Sequence, residues 1–332
     1  KMEIKAADVA KLRQMTGAGM MDCKKALVEA NGDYERAKEI IREKGKLVAA
    51  KRADRETSEG RVIAKVNGNK AIVVGLGCET DFVAKNEEFK ALAEAIAETA
   101  IANFPADKEA LMACVLADGR TVEAAVTEQT GKTGEKHVIV AYETVEAPYI
   151  ASYIHAINGK LAAIVGFNKE FDAQVAKGVA MQVASMNPVA VSAESVPQSV
   201  IDAEIKTATE KTKEELVQKA VDAALTKAGI NPAHVDSEAH IESNQSKGWI
   251  TAEQAEQARE IIKTVSAEKA ANLPEQMVAN IAKGRLQKFF KEQTLEEQGY
   301  QMGDGKTAVK DVVKAADAEA KIVTFKRISL AD

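Results

Sequence analysis

The sequence predicts an α+β protein in which two related halves form a two-lobed core, three short helices precede it, and a helical arm interrupts the second half. Three observations carry that expectation. Residues 62–75 (VIAKVNGNKAIVVG) superpose on residues 153–166 (YIHAINGKLAAIVG) without a gap, so Asn67-Gly68 falls on Asn158-Gly159 and Val74-Gly75 on Val165-Gly166. Each match reads as a duplicated hairpin–helix–strand unit, since Asn-Gly between apolar runs accepts the positive φ angles of a type I′ hairpin turn. Two long segments, 199–228 and 251–271, have the composition of helices with narrow, alanine-rich apolar stripes.

Length and composition bound the rest. A chain of 332 residues exceeds one small core and should hold two or three domains. The boundaries expected are 1–55 for the three-helix domain, 56–146 for the first lobe, 147–198 with 273–332 for the second lobe, and 199–272 for the arm. The 46% hydrophobic content is that of a soluble protein, and apolar runs such as Leu161 to Val165 are far short of a membrane span. No signal- or transit-peptide pattern stands at the start, and Cys23, Cys78 and Cys114 lack paired spacing. A reducing, cytoplasmic setting without disulfides or a metal centre is therefore expected. The net charge of −5 argues against nucleic acid as a partner. It is unevenly placed: residues 1–55 hold 14 Lys and Arg against 9 Asp and Glu, a surplus of +5 that leaves −10 for the remainder. Such a segment is either a solvated face or the complement of an acidic patch on a protein partner.

From the N-terminus, residues 7–15, 19–30 and 34–44 read as helices, with Val9 and Leu12, then Met20, Met21 and Leu27, then Tyr34, Ala37, Ile40 and Ile41 at helical spacing. Asn31-Gly32-Asp33 supplies a turn and an N-cap, and Gly45 stands where a helix would close. Thr16-Gly17-Ala18-Gly19 lacks the third glycine and the preceding strand of a phosphate-binding fingerprint, so it reads as a tight connection. Residues 46–59 are charged and read as a linker or a frayed helix. The first hairpin, 61–76, leads to a helix over 87–102 capped by Asn86 and carrying Phe89, Leu92 and Ile96. Helices over 106–117 and 122–129 and a strand over 136–145 complete the lobe. Thr130-Gly131-Lys132-Thr133 is not a P-loop, because Val126 occupies the place of its first glycine. The second half repeats the plan with a hairpin over 152–166 and a helix through Val175, Val179 and Val183, but its closing helix (307–314) and strand (320–330) are delayed. Joined through 229–249, the two long helices suggest an antiparallel coiled-coil arm; a helical subdomain packed on the core is the alternative, and the narrow stripes favour the arm. Pro274 opens one further helix through Met277, Ile281, Leu286 and Phe289.

The halves differ most just after their hairpins. The first has nine residues, Cys78 to Asn86, before Glu87-Glu88-Phe89, whereas the second runs from Asn168 straight into Lys169-Glu170-Phe171. Residues not needed to join a strand to a helix point to function. Among them Phe82 places a large apolar side chain in a loop, between Asp81 and Val83. Catalytic groups are scarce by comparison. His137, His155, His234 and His240 have no cysteine or carboxylate at ligand spacing, and no nucleophile elbow, zinc-binding His-Glu-x-x-His helix or complete phosphate loop occurs. No catalytic, cofactor-binding or metal-binding residue is assigned. An enzyme using Asp81 with a second carboxylate is the weaker reading, since Phe and Val beside one Asp suit insertion into a protein better than proton transfer.

Thr16 to Leu27 (TGAGMMDCKKAL), Glu29 to Asp33 (EANGD) and Cys78 to Asn86 (CETDFVAKN) together resemble the bacterial elongation factor Ts family, and the likeness extends over the whole length. The resemblance implies a guanine-nucleotide exchange factor for the translation GTPase elongation factor Tu, acting on its Mg-GDP complex and holding no cofactor itself. It implies an N-terminal three-helix domain of the ubiquitin-associated type, a two-lobed α+β core and a coiled-coil protrusion. Thr80, Asp81, Phe82 and Val83 match the family loop that enters the G domain of elongation factor Tu, where Asp81 and Phe82 disturb the magnesium and phosphate site. Met20 and Met21 match an N-terminal contact with the same domain. The hairpin bearing His155 is similar to the part that grips the GTPase's third domain. The arm is longer than in the best-known members. A non-catalytic helical adaptor, binding a protein partner without nucleotide exchange, is the alternative.

Overall fold

The structure, a computed structural model, describes residues 3–331 and divides into two compact units, one running through Val191 and resuming at Leu295, the other Ser192–Thr294. In the first, α1 (Ala6–Thr16), α2 (Met20–Glu29) and α3 (Tyr34–Lys51) bury Val9, Leu12, Cys23, Leu27, Ala37 and Ile41 against one another. Asp33 caps α3 by accepting the Glu35 and Arg36 N–H groups. α3 does not close at Gly45 but continues to Lys51, so the first part of the segment expected as a linker or a frayed helix, 46–51, is helix. The cause is a helix crossing with α7 (Val122–Thr133). A Cβ on Gly45 would stand 2.6 Å from the Thr127 carbonyl oxygen, and one on Gly131 would stand 2.9 Å from the Gly45 Cα. Facing glycines let two backbones touch, which fastens the three-helix segment to the first lobe.

Two three-stranded antiparallel sheets follow. β1 (Glu59–Asn67), β2 (Lys70–Cys78) and β3 (Val138–Glu146) form one, in that order; β4 (Tyr149–Ile154), β5 (Leu161–Phe167) and β6 (Ile322–Ser329) form the other. Their inner faces meet through Val62, Ala64, Val73, Ile150, Ala162, Ile164 and Ile328. Residues 78–86, expected as a loop, begin on the last residue of β2 and contain a one-turn helix, α4 (Asp81–Ala84). α5 (Glu87–Asn103), α6 (Lys108–Ala113) and α7 cover the outer face of the first sheet with Phe89, Leu92, Ile96, Leu111 and Val126. α8 (Ala173–Met186) and α13 (Val309–Ala316) cover the second with Val179, Val183, Val309 and Val313. The layers run helix, sheet, sheet, helix. Covered on both faces, the central strands β2 and β5 are buried almost end to end instead of alternating.

Several local expectations need correction. Asn67 pairs with Lys70, so the first hairpin turns through Gly68-Asn69, with positive φ (60°) at Gly68 and not at Asn69. That is the type II′ pattern, glycine first, and not a type I′ turn on Asn67-Gly68. The second hairpin departs from the gap-free match: Gly75 pairs with Val62, but Gly166 pairs with Ile150, not Tyr153. Burial decides the register, because Ile150 joins Val62 in the core between the sheets. The displaced residues lengthen the second turn. The helix expected over 106–117 stops at Ala113, and a Val115–Thr121 bridge takes the chain into α7.

In the second unit, α9 (Gln198–Lys227) packs on α11 (Ala252–Ala271). α10 (Glu238–Ser246) lies in the connection, where Leu225, Ile230, Val235, Ile241, Ile250 and Ala255 form a small core of their own. α12 (Glu275–Gln293), expected with the second lobe, instead packs on α9 and ties to it through an Arg285–Glu215 ion pair. Among the described residues no helix is long and apolar enough to cross a membrane.

Candidate functional site

The backbone pairing of β2 with β3 ends at Gly77 and Val138. Beyond that point side chains hold the two segments together. Glu79 accepts the Lys136 N–H at 2.8 Å, while the Glu135 carboxylate accepts the Thr80 N–H at 3.1 Å and the Thr80 hydroxyl at 2.7 Å. The Thr80 oxygen in turn accepts the Val83 N–H at 3.4 Å, which caps α4. Arg52, just past α3, pairs with Glu79 at 3.0 Å. The Cys78 thiol donates to the Thr80 carbonyl, and burial pushes that thiol up to about 12.

On this braced turn neighbouring side chains divide. Val83 packs against the core of the first lobe, whereas Phe82 keeps 82% of its surface in water. An apolar ring that exposed is informative because the turn under it is held from several directions. Asp81 pairs with Lys85 at 2.8 Å, and that hydrogen-bonded ammonium holds its carboxyl below the usual range. Behind the turn His137 is buried, with its ring 5.6 Å from that of Phe89 and its Nδ1 2.9 Å from the Glu135 carbonyl oxygen. It is a packing residue, and burial lowers its pKa.

His155 was expected on a strand and stands at the start of the lengthened turn, where its N–H donates to Leu161 and its carbonyl accepts from Gly159. It is half-buried, with Nδ1 unpartnered. Beyond it Ile157 is 91% exposed. Ile157 is not marked in the sequence as a contact residue, because the gap-free match lays it on strand residue Val66; its seat beside Asn158-Gly159 is the available signal. A groove of about 880 Å³ is lined by Asp81 and Lys85 around α4, Arg61 and Lys65 of the edge strand β1, and His155 and Ile157 of the second turn. Asp81 and His155 are thus brought to one groove. Met20 and Met21 lie apart from it at the start of α2, exposed by 45% and 63%, while Cys23 and Leu27 take the core positions of that helix.

No nucleophile paired with a base appears in this arrangement. It offers an exposed apolar ring on a hydrogen-bonded turn, a mixed-charge groove and a separate pair of exposed methionines.

Residues 79–332 match the family model described as Elongation factor TS. Over 329 residues, covering 99% of this chain and 99% of the relative, the sequence is 56% identical to the elongation factor Ts of Phocaeicola vulgatus. Over the same length and coverage it is 55% identical to that of Bacteroides fragilis and 40% identical to that of Porphyromonas gingivalis. A family model that spans most of the chain, together with relatives this similar over nearly all of it, shows that the chain belongs to the elongation factor Ts family.

Proposed function

We propose that the chain is a guanine-nucleotide exchange factor of translation elongation, which binds elongation factor Tu with GDP and inserts the Asp81-Phe82 turn near the magnesium and phosphate site of its G domain. GDP leaves and GTP can rebind. Membership of the elongation factor Ts family supports the general role. The finer reading rests on one observation, the exposure of Phe82 on a capped turn anchored by Val83, Glu79 and Glu135. A wedge already held in shape loses little ordering entropy on insertion.

Energetics divide the labour. An exchange factor binds the nucleotide-free partner more tightly than the nucleotide-bound one, and linkage makes the effect reciprocal. Moving a two-state equilibrium from mostly closed to mostly open takes about 5.5 kcal/mol of differential affinity. Full burial of one aromatic side chain contributes about 1.5–3 kcal/mol, so Phe82 needs help. Met20 and Met21 supply a second contact with the G domain, and the His155 turn, with Ile157, holds the third domain. The chain itself carries no cofactor or metal in this reaction, contacts neither nucleic acid nor membrane, and works in the cytoplasm.

The test is stopped-flow release of a fluorescent GDP from elongation factor Tu, with and without this protein and with its Phe82→Ala variant. The expected result is strong acceleration that falls with the substitution. A confirmed complex without acceleration would leave a binding module and end the exchange reading.

A further inference from the structure

We propose that Glu135, with Glu79 as its reciprocal partner, is a positioning residue for the exchange turn and sets the direction in which Phe82 points. The proposal rests on the exchange reading above. Its basis is a crossed pair of carboxylates. Where the β2–β3 ladder ends at Gly77 and Val138, each segment caps the other's backbone. Glu79 takes the N–H of Lys136, and Glu135 takes the N–H of Thr80. Side chains thereby carry the pairing onward to the first residue before α4, with hydrogen bonds to carboxylates, a charge-assisted type stronger than a neutral pair.

The Thr80 hydroxyl makes the arrangement directional. A hydroxyl has one proton to give, and Thr80 gives it to Glu135 at 2.7 Å. The oxygen's lone pairs are then left for the Val83 N–H, the capping bond of the turn that carries Phe82. Without Glu135 the hydroxyl can rotate, and the cap is no longer oriented. Arg52 offsets the charge of Glu79, and the Lys136 ammonium donates to the carbonyls of Ala53 and Arg55, so both sides of the clamp are tied to the chain just past α3. Val83 packs on the first-lobe core, a contact that does not involve the clamp's hydrogen bonds. Losing the clamp should therefore leave the fold intact and the wedge free to swivel.

The test compares Glu135→Ala, Thr80→Val, the pair together, and the conservative Thr80→Ser, with Phe82→Ala as reference. GDP release from elongation factor Tu is followed over a range of factor concentrations, and amide hydrogen exchange at Thr80 and Val83 is followed in the free protein. Glu135→Ala should lower the maximal release rate about tenfold while changing the half-saturating concentration by less than about twofold, because binding is carried elsewhere. Thr80 and Val83 should lose amide protection, the double variant should be no slower than the worse single one, and Thr80→Ser, which keeps the hydroxyl, should keep the protection of Val83. An undiminished maximal rate in Glu135→Ala, with Phe82→Ala slow, overturns the proposal; so does retained amide protection. If Phe82→Ala releases GDP at the wild-type rate, the insertion of the Asp81-Phe82 turn fails as the means of exchange, and the protection data still decide whether the clamp holds the turn. Should Glu135→Ala not fold, Glu135→Gln, which keeps the size and one acceptor oxygen, is expected to fold and release GDP at an intermediate rate; a wild-type rate there with lost protection also counts against positioning.

Discussion

Phe82, Cys78 and His137 lie within a few residues of one turn or its brace, yet each answers to a different force. Because Phe82 leaves 82% of its surface in water, Phe82→Ala should change unfolding stability by less than about 0.5 kcal/mol while slowing catalysed GDP release. A large loss of stability in a denaturant melt would show instead that the ring packs on its own protein. Cys78 is fully buried, and its thiol is pushed up to about 12, whereas Cys114 is partly exposed. A thiol reagent at pH 8 should label Cys114 first and reach Cys78 only on unfolding; early labelling of Cys78 in a peptide map would mean that the turn opens. For His137, burial holds the folded pKa below the ordinary 6.5. The unfolded chain then binds a proton that the folded chain resists, so this stability is complete above pH 6.5 and is lost as pH falls from there through the depressed folded value. His137→Phe should flatten the dependence of melting temperature on pH below 6.5, whatever it does to stability at neutral pH. An unchanged slope would assign the dependence to other groups.

At the scale of elements, the α3–α7 crossing is the sharpest test of packing against propensity. Gly45→Ala on an isolated helix would stabilise it by about 1 kcal/mol. Here the added Cβ would stand 2.6 Å from the Thr127 carbonyl oxygen, and parting two packed backbones costs about 1–3 kcal/mol. Net destabilisation in urea unfolding is expected, and a stabilised variant would mean that the crossing has slack. The same element shows what could be read in advance. Helical spacing revealed the early part of α3 and its Asp33 cap, but a glycine late in a helix signals a stop or a close contact equally well. Only the neighbour, Gly131 on another helix, separates the two. The paired hairpins make a similar point, since the local match between the halves was real for β5 and misleading for β4, where burial of Ile150 sets the register.

At the scale of the molecule, the second unit is an insertion whose ends meet. Leu295 and Glu296 donate their N–H groups to the Ala190 and Val191 carbonyls, each at 2.9 Å, within the first unit. Replacing 192–294 by a short Gly-Ser link should leave a cooperatively melting protein, and closure of so short a loop costs little. A chain that no longer melts cooperatively by circular dichroism would show that the first unit depends on the second. Removing only 229–249, which takes Ile230, Val235 and Ile241 with it, should leave the first unit's melt in place while loosening the rest of the small core around Leu225 and Ala255.

The sequence by itself determined the α+β class, the duplicated hairpins, the two long helices of the second unit and the singular stretch from Cys78 to Asn86, because periodicity, turn chemistry and an extra segment are local properties written in neighbouring residues. Tertiary structure alone decided where α12 packs, which residue of β4 faces Gly166, and why Phe82 stands out from a fixed turn instead of a loose loop. Those outcomes depend on partners far apart in the chain, as Thr80 and Glu135 are, 55 residues from one another. Which carboxylate meets which hydroxyl across such a distance is settled by packing, when burial leaves one arrangement in which the buried backbone groups find their hydrogen bonds.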